Sequence, residues 1–157
     1  ARGSALAALA AFVAALVLVQ PLASWDARPP GAASAIGATT AARGDDGWQP
    51  FAPATVQDLA ASGRPVFVDF TAAWCVTCQV NKRTTLARPR VQQAFANANV
   101  ALLRADWTRR DPVITAALTA LGRDGVPVYV LYRPGKEPLL LPEILTQQTV
   151  IDALATL

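Results

Sequence analysis

The sequence contains no histidine, no methionine and only two cysteines among its 157 residues. The absence of histidine excludes Ser-His-Asp triads, Cys-His dyads, zinc sites built on imidazole and a histidine general base. Two cysteines cannot form a four-cysteine zinc or iron–sulfur site within one chain, and they cannot cross-link a disulfide-rich mini-protein. Any chemistry therefore depends on carboxylates, hydroxyls, amines or the two thiols. Because the chain starts without a methionine, we expect it to be a part or a processed product of a longer protein.

Charged residues are also few, at 16% of the chain, whereas 53% of the residues are hydrophobic. This balance excludes a chain that is disordered throughout. The net charge of +3 is only weak evidence for a nucleic-acid partner. The clustered basic residues are Lys82, Arg83, Arg88 and Arg90. No aromatic residues alternate with them to stack on bases, so we interpret the cluster as a solvated helix face and predict no nucleic-acid binding.

The first 25 residues contain a long uncharged stretch, which runs from Gly3 to Trp25. As a helix its 23 residues would be about 34 Å long, enough to cross a hydrocarbon core of about 30 Å. Arg2 before the stretch and Trp25 at its far end favour a positive-inside orientation. We predict a transmembrane helix over residues 1–25, with a secretory signal peptide as the alternative. Either interpretation places the rest of the chain outside the cytoplasm.

Residues 26–47 have the composition of a flexible linker. They are almost all Ala, Gly, Pro, Ser, Thr, Asp and Arg, and Ile36 is the only large aliphatic residue among them. Such a segment cannot bury enough apolar surface to offset the entropy lost on ordering. The pattern becomes globular over residues 48–157, which are enough for one hydrophobic core.

The globular part reads as helix, strand, helix, strand, helix, strand, strand, helix. The predicted strands cover residues 66–70, 100–105, 128–132 and 139–141. The predicted helices cover residues 55–62, 75–87 with an extension over 90–97, 111–122 and 147–157. A helical crossover makes the first two strands parallel, and the turn at residues 133–136 makes the last two antiparallel. The sequence therefore predicts an α/β fold with a mixed β-sheet and helices on both faces.

The two cysteines, Cys75 and Cys78, form a C-x-x-C motif. The motif alone also occurs in metal sites, but here it directly follows an apolar strand and opens a helix, as in thioredoxin-like redox sites. A thiol at a helix N-terminus faces unpaired N–H groups, which stabilise its thiolate. A second thiol three residues later lies one turn away on the same face, close enough to form a disulfide. We predict that Cys75 is the exposed nucleophile and Cys78 the shielded resolving thiol.

Several further motifs accompany the C-x-x-C in a fixed order. They are Val68-Asp69-Phe70 before Trp74-Cys75-Val76-Thr77-Cys78, then Ala105-Asp106-Trp107-Thr108, then Gly122-Arg123-Asp124-Gly125-Val126-Pro127-Val128-Tyr129, and finally Leu141-Pro142-Glu143-Ile144-Leu145-Thr146. With these motifs the chain resembles the thioredoxin superfamily, and more narrowly the C-terminal periplasmic domain of the membrane protein-disulfide reductase DsbD family. The resemblance covers residues 51–157, and the preceding apolar stretch is similar to that family's last membrane span.

The resemblance implies a proton-exchanging acid at Asp69, six residues before Cys75. In the family the corresponding buried acid exchanges a proton with the resolving thiol, here Cys78. The sequence supports burial independently, because an aspartate within an apolar strand is costly to bury without a task or a partner. An aspartate that faces solvent from an edge strand is the alternative.

The resemblance also implies substrate-binding residues around the cysteines. Val126 and Pro127 match the family's cis-proline segment, which lies opposite the cysteines and presents its backbone to a partner chain. We predict Trp74 as a surface aromatic beside the nucleophile, with core packing as the alternative. Trp107 and Thr108 follow a strand, and we interpret them as structural.

One position departs from the family. Seven residues after Cys75 the family often has a glutamate, whereas this chain has Lys82. Replacing a negative by a positive charge near the nucleophile favours its thiolate, so we expect a lower nucleophile pKa than in relatives that keep the acid.

Taken with the family, the sequence predicts a protein-disulfide reductase held at the bacterial inner membrane, with its globular domain in the periplasm. Electrons would come from a membrane-embedded redox domain of the same parent protein and pass to periplasmic thioredoxin-like proteins. No organic cofactor or metal is implied, because the cysteine pair carries the electrons. Two alternatives stay open: a disulfide oxidase or isomerase, and a non-catalytic module that binds Cu(I) through its thiolates.

Overall fold

The computed structural model of the protein describes residues 47–157. These residues form a five-stranded mixed sheet with helices on both faces. The strands are β1 (Gln49–Pro50), β2 (Val66–Thr71), β3 (Ala101–Asp106), β4 (Val128–Tyr132) and β5 (Leu139–Leu141). The helices are α1 (Pro53–Ala61), α2 (Val76–Asn81), a π-helix (Lys82–Leu86), α3 (Pro89–Asn97), α4 (Pro112–Ala120) and α5 (Gln147–Leu154).

The strand order across the sheet is β1-β3-β2-β4-β5. Strand β3 runs parallel to β1 and β2, whereas β4 runs antiparallel to β2 and β5. The predicted parallel and antiparallel pairs are therefore confirmed, and with them the mixed α/β sheet. All six residues of β2 are buried, which agrees with a strand that has neighbours on both sides and helices on both faces.

Strand β2 divides the interior into two cores because its successive side chains face opposite sides of the sheet. Val66, Val68 and Phe70 pack in one core with residues of α1 and α4. Phe67 packs on the other side with residues of the π-helix, α3 and α5. By the same alternation, Asp69 lies on the side of Phe67. Asp69, the one acidic residue of β2, therefore faces the layer of helices that follow the C-x-x-C motif in the chain.

Local sequence signals fix where the later helices begin. The side chain of Asp111 accepts hydrogen bonds from the backbone N–H groups of Val113, at 2.8 Å, and Ile114, at 3.2 Å. The hydroxyl of Thr146 accepts one from the N–H of Thr149 at 3.0 Å. Both N-caps were predicted and are confirmed, and each stabilises its helix by about 1 kcal/mol.

Other boundaries differ from the prediction. Helix α1 begins at Pro53 rather than at residue 55, because proline suits the first position of a helix and outweighs the threonine as a start signal. The helix predicted over residues 75–87 is divided into α2 and the π-helix. Helix α5 ends at Leu154, three residues early. Strand β1 was not predicted, because two residues are too few to show an alternating pattern.

The predicted transmembrane helix over residues 1–25 and the predicted linker over residues 26–47 lie outside the described residues, except for Gly47 at the end of the linker. Within residues 47–157 no helix has both the length and the apolar character needed to cross a bilayer. The proposed division of the chain at residues 25 and 47 stays a prediction.

Candidate active site

The two cysteines lie at the start of α2 and are joined by a disulfide, with their Cα atoms 5.3 Å apart. Cys75 is the N-cap residue of α2, and its Sγ accepts a hydrogen bond from the backbone N–H of Cys78 at 3.2 Å. The same N–H stabilises negative charge on that sulfur once the disulfide opens. The Sγ of Cys75 therefore accepts a hydrogen bond of the kind that stabilises a thiolate.

Both cysteines are largely covered in the disulfide form. Cys75 is 6% exposed and Cys78 is 2% exposed. The expectation of an openly exposed Cys75 is therefore wrong for this form, because Ala72 and Val126 pack against the two sulfur-bearing side chains. The difference in access has the predicted direction but is small, and the assignment of Cys75 as the attacking thiol stays a prediction.

Val126 packs against the cysteine cluster, and Pro127 follows it directly before β4. The peptide bond between them is cis, as the resemblance implies. Pro127 is buried, whereas Val126 is partly exposed where it packs on the cysteine cluster. The role of this segment in binding a partner remains a prediction.

Trp74 lies on the surface next to Cys75. It is 52% exposed, so the core-packing alternative is wrong. Its Nε1 donates a hydrogen bond to the carbonyl of Thr108 at 3.2 Å, and its ring centroid is 6.1 Å from that of Trp107. The hydroxyl of Thr108 accepts a hydrogen bond from the N–H of Ala73 at 2.8 Å. Trp107 is buried, in agreement with its structural interpretation, and Thr108 holds the loop that leads to Cys75.

Asp69 is 1% exposed and lies on the central strand, so the alternative of a solvent-facing aspartate on an edge strand is wrong. Its Oδ2 is 3.6 Å from Nε of Arg104, its register partner on β3. Burial raises the pKa of Asp69 from 3.8 to about 6, although the charges of Arg104 and Lys82 oppose this rise. A carboxyl whose pKa is raised towards neutral pH is suited to exchange a proton with a thiol. Its role in the reaction stays a prediction.

The sequence analysis did not identify Arg104 as a site residue. Its guanidinium carbon lies 4.6 Å from the ring centroid of Trp48, a cation–π contact that helps to position the side chain. A single arginine within the apolar run of residues 100–105 was a signal that could have been followed. Its pairing with Asp69 depends on the register of two parallel strands, which the sequence pattern does not give.

Asn81 is a second residue that the sequence analysis missed. This buried side chain ends α2, and its Nδ2 donates to the hydroxyl of Tyr129, at 2.9 Å, and to the carbonyl of Glu143, at 2.7 Å. Its Oδ1 accepts a hydrogen bond from the N–H of Leu145 at 3.2 Å. One turn later the hydroxyl of Thr85 donates to the carbonyl of Leu145 at 2.9 Å. The cysteine-bearing helix is thereby bound to β4 and to the segment after β5.

We expect Asn81→Ala to lower the free energy of unfolding by about 2–4 kcal/mol, because it leaves several buried or part-buried polar groups without a partner. Urea unfolding measures the change. Asn97→Ala is the matched control, since Asn97 also ends a helix, α3, but is exposed. The control should change stability by less than about 0.5 kcal/mol. Equal losses in the two variants would contradict the role assigned to Asn81.

Comparisons with known proteins agree with this fold and site. A family model described as thioredoxin-like matches residues 47–134. The thiol:disulfide interchange protein DsbD of Escherichia coli (strain K12) is 34% identical over 124 residues, which cover 76% of this chain and 20% of that protein. DsbD of Cronobacter sakazakii (strain ATCC BAA-894) is 37% identical over 84 residues, which cover 50% of this chain and 14% of that protein. The chain thus spans about a fifth or less of the length of these curated relatives.

The structural comparison gives the same result. The crystal structure of the C-terminal domain of Neisseria meningitidis DsbD in the reduced form matches with a TM-score of 0.55 and 26% sequence identity. The match covers 66% of this chain and 90% of that chain. Together with the family model, it confirms the fold and the resemblance that the sequence motifs indicated. The chain belongs to the thioredoxin-like family, and its Cys75–Cys78 pair makes it a thiol–disulfide oxidoreductase.

Proposed function

We propose that this chain acts as a protein-disulfide reductase, whose Cys75–Cys78 dithiol passes two electrons to the disulfides of partner proteins. The main supporting observation is the position of Cys75 as the N-cap of α2, with its Sγ hydrogen-bonded to the N–H of Cys78. This position favours the thiolate that begins an exchange reaction. The direction of electron flow is proposed from the similarity to DsbD, because direction depends on reduction potentials.

The reaction has two exchange steps. In the first, the thiolate of Cys75 attacks one sulfur of the partner's disulfide, which forms a mixed disulfide and releases the partner's other sulfur as a thiolate. In the second, Cys78 gives its proton to Asp69 and attacks the sulfur of Cys75. The Cys75–Cys78 disulfide forms, and the partner's second sulfur leaves as a thiolate. The partner has then gained two electrons, and solvent and Asp69 supply its two protons.

The proposal includes a location and partners. Residues 1–25 would anchor the chain in the bacterial inner membrane, with the globular domain in the periplasm. The uncharged stretch of the sequence and the similarity to DsbD support this arrangement. Electrons come from a membrane-embedded redox domain of the same parent protein, and periplasmic thioredoxin-like proteins accept them.

An insulin-reduction assay tests the proposed activity. The full chain in detergent should accelerate the reduction of insulin by dithiothreitol well above the rate with a Cys75→Ser/Cys78→Ser double variant. Equal rates would contradict the proposal. The copper alternative is tested by titration with Cu(I), since two thiolates suit this soft ion. Within residues 47–157 no group of three or more His, Cys, Asp and Glu side chains is placed to hold a metal ion. Stoichiometric Cu(I) binding without insulin reduction would favour the metal-binding module.

A further inference from the structure

An open groove with a volume of about 790 Å³ lies along the solvent-facing side of α4. Its lining includes Trp107 and Arg110, from the turn before the helix, and the small side chains of Thr115, Ala116, Thr119 and Ala120. The small residues form two pairs with a spacing of four, so they share one face of the helix. Their small size leaves the groove open.

The hydrogen-bond donors in the groove already have partners within the protein. The hydroxyl of Thr115 accepts a hydrogen bond from Nε1 of Trp107 at 2.8 Å and donates one to the carbonyl of Asp111 at 2.8 Å. The hydroxyl of Thr119 donates to the carbonyl of Thr115 at 3.0 Å. The groove therefore offers a mainly apolar surface with a charged residue beside it, which is typical of a protein-interaction site and suits an apolar side chain.

Arg110 is the charged residue of this groove. Its guanidinium carbon lies 5.2 Å from the ring centroid of Trp107, and its N–H donates a hydrogen bond to the carbonyl of Trp107 at 2.9 Å. With a φ of 54°, Arg110 has the left-handed conformation that non-glycine residues seldom adopt, so the turn holds it in place. The side chain is exposed, and no carboxylate of the described residues forms an ion pair with it. Such a guanidinium suits a carboxylate of a binding partner.

The groove is continuous with the surface around the disulfide. Trp74, which precedes Cys75, is 52% exposed, and its ring centroid is 6.1 Å from that of Trp107. A partner that exchanges its disulfide must bring a sulfur to the cysteine pair, and a typical interface covers about 800 Å² of each protein. An interface of this size that is centred on Cys75 includes Trp74 and extends to Trp107. The position of the groove therefore favours a protein engaged at the disulfide as its occupant.

We propose that this groove is a docking site for the proteins whose disulfides the chain exchanges, which place an apolar side chain over the small residues of α4 and a carboxylate on Arg110. The inference rests on the proposed function, because the occupant is the protein that reacts at Cys75. It specifies what distinguishes a partner from other disulfide-bearing proteins: an apolar residue and an acidic neighbour, about four residues of extended chain from the reactive cysteine.

Synthetic peptides test this recognition. Each contains one cysteine that is disulfide-bonded to nitrothiobenzoate, and the reduced full chain is held in phosphatidylcholine nanodiscs. The thiolate of Cys75 attacks the peptide's sulfur, a mixed disulfide forms, and nitrothiobenzoate leaves as a coloured thiolate. Two peptides carry Leu-Asp about four residues before or after the cysteine, and comparison peptides carry Leu-Lys or Ser-Asp there. At least one Leu-Asp peptide should react at least threefold faster than both of its comparison peptides.

Variants of the groove should change this preference. Arg110→Glu should reverse it, so that the Leu-Lys peptide reacts faster than the Leu-Asp peptide. Arg109→Glu is the matched control, because it makes the same charge change at the adjacent exposed residue, which is not part of the groove lining. It should keep the preference for Leu-Asp. Ala116→Glu places a charged side chain in the groove and should remove the preference, whereas Ala54→Glu, at an exposed position of α1, should not.

Equal rates for all peptides, or the same reversal in Arg109→Glu and Arg110→Glu, would overturn the docking site. A preference that disappears when phosphatidylglycerol is added to the nanodiscs would assign the groove to anionic lipid and also overturn it. If no peptide reacts faster than with the double cysteine variant, the proposed function fails. Fluorescence anisotropy of labelled peptides with serine in place of cysteine then decides docking alone: the Leu-Asp peptide should bind the wild type at least threefold more tightly than Arg110→Glu, and equal affinities would contradict the site.

Discussion

Replacing Cys78 with serine should convert the chain into a trap for its partners. The variant keeps the thiolate of Cys75, which still attacks, but it lacks the thiol that breaks the mixed disulfide. Reductant-sensitive covalent complexes should therefore accumulate in the periplasm, visible as slow bands on a non-reducing gel. Turnover of insulin should fall to the level of the double cysteine variant.

The matched control for this trap is Cys75→Ser, which leaves only the thiol of Cys78. Cys78 is 2% exposed in the disulfide form and lies within the first turn of α2, so few or no complexes should form. Equal trapping by the two variants would contradict the assigned roles. The trapped partners should be thioredoxin-like proteins with reactive disulfides. Trapping of unfolded secreted proteins alone would favour an oxidase or isomerase.

Asp69→Asn should change activity and stability in opposite directions. The amide cannot accept the proton of Cys78, so the resolving step should slow about 100-fold or more at pH 7. Stability should rise, because the folded protein no longer holds a buried carboxylate. The gap between the ordinary pKa of 3.8 and about 6 corresponds to a cost of about 3 kcal/mol when the group is ionised in both states.

The sign of the pH dependence follows from proton binding. Between about pH 4 and pH 6 the folded protein binds the Asp69 proton more tightly than the unfolded chain does, so the wild type loses stability as pH rises through this window. The stability gain of Asp69→Asn should therefore be about 1–3 kcal/mol at pH 7.5 and disappear towards pH 4. Urea unfolding at several pH values measures it. Asp58→Asn is the control, since Asp58 is exposed on α1. A gain that is independent of pH would show that the carboxyl of Asp69 is not the cause.

Features that depend on neighbouring residues were predictable from the sequence. The C-x-x-C motif after an apolar strand indicated the redox site, and Asp111 and Thr146 marked the starts of α4 and α5. The motifs that resemble the DsbD family added the cis peptide bond before Pro127 and the burial of Asp69. In each case the feature can be recognised from a few consecutive residues or from motifs shared with the family.

Features that depend on distant pairing were not predictable. Arg104 contacts Asp69 because β2 and β3 pair in one particular register, and a sequence pattern does not specify that register. Asn81 binds groups that lie 48 to 64 residues later in the chain, so nothing near it indicates its partners. The π-helix was missed for a related reason, since its apolar spacing still resembles that of an α-helix over one turn.

Lys82 has an electrostatic effect that the sequence analysis did not consider. From the sequence, its replacement of the family's glutamate was interpreted as an effect on the nucleophile. In the structure its charge acts on the carboxyls of Asp69 and Asp106. A lower pKa of the Cys75 thiol stays a prediction. The structure adds Asp69, whose role in the resolving step is a proposal, to the groups that the charge of Lys82 influences.

The reduction potential of the Cys75–Cys78 couple tests the central proposal most directly. The full chain is equilibrated in thiol–disulfide buffers of known potential, and the fluorescence of Trp74 beside the disulfide reports the oxidised fraction. A reductase requires a potential below about −200 mV, in the range of glutaredoxins and thioredoxin at about −200 to −270 mV. A potential between about −180 and −120 mV, the range of protein disulfide isomerase and of strongly oxidising members of this fold, would make the chain an electron acceptor and contradict the proposed direction.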